Sequence, residues 1–264
     1  MSLMTPEIRQ SAIARVNPVA KLGVALVISC ALMLSIDWVS AAVALALEAV
    51  LLAWCGLGAR QFWLRTAPVW IAAPFGMVTT VLYGQDSGAV LISAGFVTVT
   101  EGSTALGLAI GLRVLAIGLP GIVLLATTDP TDLGDALAQV VRLPARFVLG
   151  ALAGLRLVGM FIEDWHALAL ARRARGVGDG GGLRGRAGRF RSLAFSLLVL
   201  SVRRGSKLAT AMEARGFGSD EPRTWARESV FGWRDGLVLG VGVVIATTSI
   251  TAAVLAGTWH FVLA

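Results

Sequence analysis

Long apolar runs broken by short polar stretches fill this chain, without the period-2 alternation of half-buried strands. Such runs predict helices, and a hydrocarbon core of ~30 Å takes about 20 helical residues to cross. Ala20 to Ile36 gives a first span, Asp37 and Trp38 a tight turn with an interfacial aromatic, and Val39 to Leu57 the return. Thr66 to Tyr83 is a third span in which Pro68 and Pro74 are expected to kink the helix. Gln85 to Gly102 reads as a loop with a short apolar stretch able to re-enter the membrane. Ser103 to Thr128 and Gly236 to Leu255 complete five spans. The first run starts like a signal peptide, but a second full-length run follows directly, so a retained anchor is expected.

Between the fourth and fifth spans the pattern changes. Asp129-Pro130, with Asp132 in the first turn, opens a short helix to about Val141. Pro144 opens a second helix that runs to Arg175 and stops at Gly176. Six glycines between Gly176 and Gly185 form a connector, and a third helix runs from about Arg186 to Arg215, stopping at Gly216. Phe147 to Ile162 is apolar but carries Arg156, which leaves a membrane span open as an alternative. The third helix has an uncharged centre, Ser192 to Val202, between Arg189 and Arg191 on one side and Arg203, Arg204 and Lys207 on the other. Its Phe190, Leu193, Leu197, Leu208 and Met212 approximate one stripe. These read as two long helices, each ~45 Å, that cross where they are apolar and lie at or below the membrane surface.

The expected fold is therefore an all-α integral membrane protein, with about five transmembrane helices plus a cytoplasmic domain of long crossed helices. Residues 1–128 hold the first four spans, 129–235 the cytoplasmic domain and 236–264 the last span.

Composition strengthens the membrane reading: 56% of the 264 residues are hydrophobic, against roughly 45–50% in soluble domains. Within lipid only helices and closed barrels satisfy the backbone. Charge then sets orientation. Of 23 Lys and Arg, 17 fall between Asp129 and Asp235, where 11 of the 16 Asp and Glu also lie. Arg9, Arg15 and Lys21 flank the first span, and Arg60 and Arg65 follow the second. The opposite-side segments carry Asp37, Asp86 and Glu101 with no Lys or Arg. The positive-inside rule places the N-terminus and the basic block in the cytoplasm, and Trp259 and His260 outside. Nucleic acid and anionic lipid are the second and third readings of the basic block. Few aromatics interleave it, which disfavours a single-strand platform, so no nucleic-acid partner is expected.

Catalytic chemistry has little to stand on. Cys30 and Cys55 sit in apolar runs, and His166 and His260 lack ligand spacing, so no metal or cofactor is expected. Neither Lys21 nor Lys207 follows a glycine as an ATP-binding loop demands. Gly176 to Gly181 spells G-x-G-x-x-G, but after a helix end rather than a strand. Glu48 and Arg113 are ionisable groups inside spans; a structural pair between them, or one facing a polar cavity, is the expectation. Gly107 with Gly111, and Gly232, Gly236 and Gly240, offer faces for close helix packing.

The two long helices end alike, in Ala174-Arg175-Gly176 and Ala214-Arg215-Gly216. A glycine just past the last turn caps a helix in the left-handed conformation. The arginine before it sits at the negative end of the helix dipole. One such ending is ordinary. Two on consecutive basic helices suit insertion into acidic clefts, where the planar guanidinium grips carboxylates bidentately.

Paired Ala-Arg-Gly ends on long helices resemble the transmembrane coupling component of energy-coupling factor (ECF) transporters, the cobalt- and biotin-type permease family. Asn17-Pro18, Lys21-Leu22, Val99-Thr100-Glu101-Gly102, Leu112-Arg113, Thr127-Thr128 and Leu143-Pro144 also fit that family's pattern in order. The resemblance implies a non-catalytic subunit of an ATP-driven importer in the cell membrane. Each Ala-Arg-Gly end would engage one of two cytoplasmic ATP-binding subunits, and a separate small membrane protein would bind the vitamin or metal-ion cargo. The alternatives are a self-contained secondary transporter using Glu48 and Arg113, for which inverted repeats are expected but not visible, or a membrane-anchored scaffold for anionic partners.

Overall fold

The computed structural model describes residues 16–53, 58–84, 87–94, 97–176, 182–217, 224–225 and 227–259. Expectations that fall on Arg9, Arg15, Cys55, Asp86, Gly181 and His260 lie outside the described residues. The helices are α1 (Pro18–Met33), α2 (Trp38–Ala53), α3 (Ala59–Tyr83), α4 (Glu101–Thr127), α5 (Pro130–Gln139), α6 (Ala145–Ala174), α7 (Gly182–Ala214) and α8 (Trp233–Leu255). One hairpin, β1 (Val90–Ala94) with β2 (Val97–Thr100), interrupts them. The chain folds as two compact units, Met1–Ala136 with Ser229–Ala264, and Leu137–Glu228.

In the first unit α3 and α4 run antiparallel in close contact, and glycines make that approach possible. A Cβ on Gly107 would come within 2.4 Å of Val81 Cγ2 and 2.9 Å of the Met77 carbonyl. One on Gly118 would meet Val69 Cγ1 at 2.8 Å. The Gly107–Gly111 face thus packs internally. In α8, by contrast, Gly236 and Gly240 have nothing within 4 Å of a built Cβ. The close approach there is Gly242 against Val24, answered by Gly23 against Leu239, and α8 runs parallel to α1. Ile28, Leu32, Ala44, Ala116 and Ile245, drawn from α1, α2, α4 and α8, form the buried core.

Helix ends are fixed by named side chains. The Asn17 side chain accepts from Val19 N at 2.9 Å to cap α1, with Pro18 at the first helical position. Asn17 N also donates to Asp235 Oδ1 at 2.6 Å, and Gly232 N to Asp235 Oδ2 at 2.7 Å, so one carboxylate joins the starts of α1 and α8. Thr100 and Ser103 form a reciprocal capping box at the start of α4. At its other end Lys21 Nζ donates to the Thr127 carbonyl at 3.2 Å and Arg65 Nη1 to the Ala126 carbonyl at 3.1 Å. Two cations thereby satisfy carbonyls that a helix C-terminus leaves open.

The polar side chains of the turn between α1 and α2 are buried, while Leu34, Ile36 and Trp38 beside them are exposed. Asp37 caps α2, accepting from Ser40 N at 2.6 Å and from the hydroxyls of Ser35 and Ser40 at 2.7 Å each, and all three residues are buried. Gln85 to Gly102, expected as a loop, holds the antiparallel hairpin, paired Ile92 with Val99 and Ala94 with Val97. It is tied to α4 through Glu101 N to the Ala89 carbonyl and Gly102 N to the Ser87 carbonyl.

Among the described residues four helices are long and apolar enough to cross a membrane: α3, α4, α6 and α8. Helices α1 and α2 are apolar but only 16 residues each. The helix α6, read from sequence as lying at or below the surface, meets the length and composition of a span because Arg156 is a lone charge in its apolar half. The third span begins earlier than Thr66, at Ala59, and α3 stays helical through Pro68 and Pro74. The third long helix likewise begins at Gly182, inside the stretch read as a glycine connector.

Candidate functional site

The second unit presents the two candidate helix ends in matching form. Gly176 has φ 71° and Gly216 φ 73°, the left-handed conformation that lets a chain leave a helix without a Cβ penalty. Gly176 N donates to the Arg173 carbonyl and Gly216 N to the Glu213 carbonyl, both at 2.9 Å. Phe217 N reaches the Met212 carbonyl at 3.0 Å, completing a Schellman motif at the end of α7. Ala174, Arg175, Ala214 and Arg215 are exposed. Each arginine directly follows the last helical residue, at the end where the dipole favours a cation, beside an alanine of little bulk.

Cross-helix contacts hold α6 against α7. Asp164 and Arg204 form a bidentate ion pair, Arg204 Nη2 donating to Asp164 Oδ1 at 3.1 Å and Nη1 to Oδ2. Arg172 Nη2 donates to Ser192 Oγ at 2.7 Å, and the Trp165 and Phe190 rings lie 5.5 Å apart. Sequence reasoning named the apolar stripe but missed this pair. An acid and a base 40 residues apart carry no local signal.

No hydrogen bond joins Glu48 to Arg113. Both Glu48 carboxylate oxygens, and Nε and Nη2 of Arg113, are buried without a hydrogen-bond partner. Among the described residues no group of three His, Cys, Asp or Glu side chains is placed to hold a metal ion.

Several apolar helices in one unit and a helical pair ending in exposed arginines in the other define an all-α, multi-pass membrane protein. Comparison with known proteins makes the class specific. The pattern of the cobalt transport protein family, CbiQ, matches residues 9–225, and the chain belongs to that family. It is similar to the energy-coupling factor transporter transmembrane protein EcfT of Brevibacillus brevis, with 31% identity over 186 residues, 67% of this chain and 70% of the relative. The EcfT proteins of Limosilactobacillus fermentum (28% over 204 residues, 74% and 76%) and Bacillus subtilis (30% over 186 residues, 67% and 69%) are similar as well.

Proposed function

We propose that this chain is the transmission of an ECF-type importer for a vitamin or a transition-metal ion. Arg175 and Arg215 each enter an acidic groove on one of two cytoplasmic ATP-binding subunits. Movement of those subunits passes through α6 and α7 to a separate small membrane protein that binds the cargo. The chain itself performs no chemistry, and its N-terminus is cytoplasmic. The observation that carries this reading is the pair of exposed arginines on helix ends that both close on a left-handed glycine, supported by similarity to proteins named as energy-coupling factor transporter transmembrane proteins.

The test removes both guanidiniums. Arg175→Ala with Arg215→Ala is expected to leave the protein in the membrane, abolish uptake and weaken recovery of the ATP-binding subunits in pull-down. Each single variant is milder, because two tethered attachments reinforce one another by about 10²–10⁴-fold in affinity. Unchanged uptake in a stably inserted double variant sinks the assignment.

A further inference from the structure

The ion pair between α6 and α7 has a regular relation to the two helix ends. Asp164 precedes Arg175 by 11 residues, and Arg204 precedes Arg215 by the same 11. Both intervals lie in continuous helix up to the terminal arginine. Eleven residues make about three turns and about 16 Å of rise, returning within roughly 20° of the starting direction. From the ion pair outward, each helix therefore carries an arm of equal length whose terminal guanidinium lies near the face that makes the crossing contact.

The pair is built to hold this point. Its geometry is the two-bond fork of a guanidinium on a carboxylate, which fixes orientation as well as distance. The side chains are 30% and 20% exposed, so water screens them only in part. The Trp165–Phe190 contact and the Arg172–Ser192 bond restrain α6 on the N-terminal side of Arg204, leaving the ion pair as the restraint nearest the α7 arm.

We propose that Asp164 and Arg204 are positioning residues: a pivot that sets the separation of Arg175 and Arg215, and so the spacing at which two partner subunits are held. This rests on the reading of those arginines as attachment points. Without the pivot each end keeps its cap and its charge, but the distance between ends is held only by the Trp165–Phe190 contact and the Arg172–Ser192 bond and varies more widely. Motion at one end then bends a loose crossing instead of moving the other.

Two measurements on the full-length protein separate this proposal from the one it rests on. Spin labels at the exposed positions Arg173 and Glu213, in nanodiscs without partners, report the separation of the ends. In Arg204→Gln the distance distribution is expected to broaden, the population at the native separation falling about fivefold relative to the rest, the scale of an ion pair near the upper end of the exposed range. The exchange Asp164→Arg with Arg204→Asp restores the narrow distribution, which a variant that merely unfolds the helix cannot do. In the assembled transporter Arg204→Gln retains the ATP-binding subunits, because both guanidiniums remain, yet cargo moved per ATP hydrolysed drops several-fold and recovers in the exchange. An unchanged distribution in Arg204→Gln overturns the pivot whatever the partners do. Loss of subunit capture in Arg204→Gln, with separation unchanged, also overturns it, whereas failure of the Arg175 and Arg215 test leaves the distance result standing.

Discussion

Gly107 shows how much of the first unit hangs on a missing side chain. Adding one methyl group there drives it into Val81 and into the Met77 backbone carbonyl, and backbone cannot rotate aside as a side-chain tip can. Gly107→Ala is expected to destabilise the α3–α4 pair by about 1–3 kcal/mol, the usual cost of overpacking. Gly121→Ala, on the same helix with nothing within 4 Å, should be neutral or slightly stabilising because alanine is the better helix former. Thermal unfolding of both variants in one detergent checks this; equal midpoints would show that α3 and α4 do not pack at Gly107. Sequence spacing pointed to this glycine face, but equally to Gly236 and Gly240, which are open. Small-residue spacing marks where a helix could approach, and only the partner helix decides whether it does. The same limit applies to Glu48 and Arg113. Opposite charge suggested a pair, yet both Glu48 carboxylate oxygens are buried without a hydrogen-bond partner.

At the scale of elements, legibility followed the local signal. Helix endings written in glycine or proline were readable: α6 closes at Gly176, α7 at Gly216, and α5 opens at Pro130. The resemblance motifs prove to be mostly helix ends too, with Asn17-Pro18 capping α1, Thr100 capping α4, and Lys21 meeting Thr127 across it. Starts without such marks were misplaced. Helix α7 begins inside a glycine cluster because one helical turn there extends an already long helix, and propensity is a weak prior against tertiary context. The hairpin was missed because its strands are four and five residues long, too short for periodicity to tell from a re-entrant apolar stretch.

For the whole molecule, the division at Ala136 and Ser229 falls near the residues where charge patterning changes, while the orientation of each part remains a matter of topology. We expect Ser87 and Arg184, both exposed, to face opposite sides of the membrane. Cysteine substitutions there, with Cys30 and Cys55 replaced by serine, can be labelled from either side by an impermeant maleimide. Labelling of both from one side would mean that α6 crosses the bilayer, and the cytoplasmic placement of its arginine end would fall. Length alone does not settle this, since α6 satisfies the demands of a span. Its lone Arg156 would cost a crossing helix about 2.5–3.5 kcal/mol at the bilayer centre.

The shortness of α1 has a consequence for the lipid around it. Helix α1 supplies 16 residues, ~24 Å of rise, against a hydrocarbon layer of ~30 Å, while α4 beside it has 27. Non-helical backbone is tolerated at such depth where protein covers it, as it covers Asp37 and its serines. Acyl chains facing α1 would meet too little apolar height, and local thinning of the bilayer to match it costs fractions of a kcal/mol per Å. Hydrophobic mismatch then makes one flank of the protein sensitive to membrane thickness. The chain should unfold at higher temperature in nanodiscs of short-chain phosphatidylcholine than in long-chain ones, and a midpoint indifferent to chain length would count against the short α1 lying in contact with lipid.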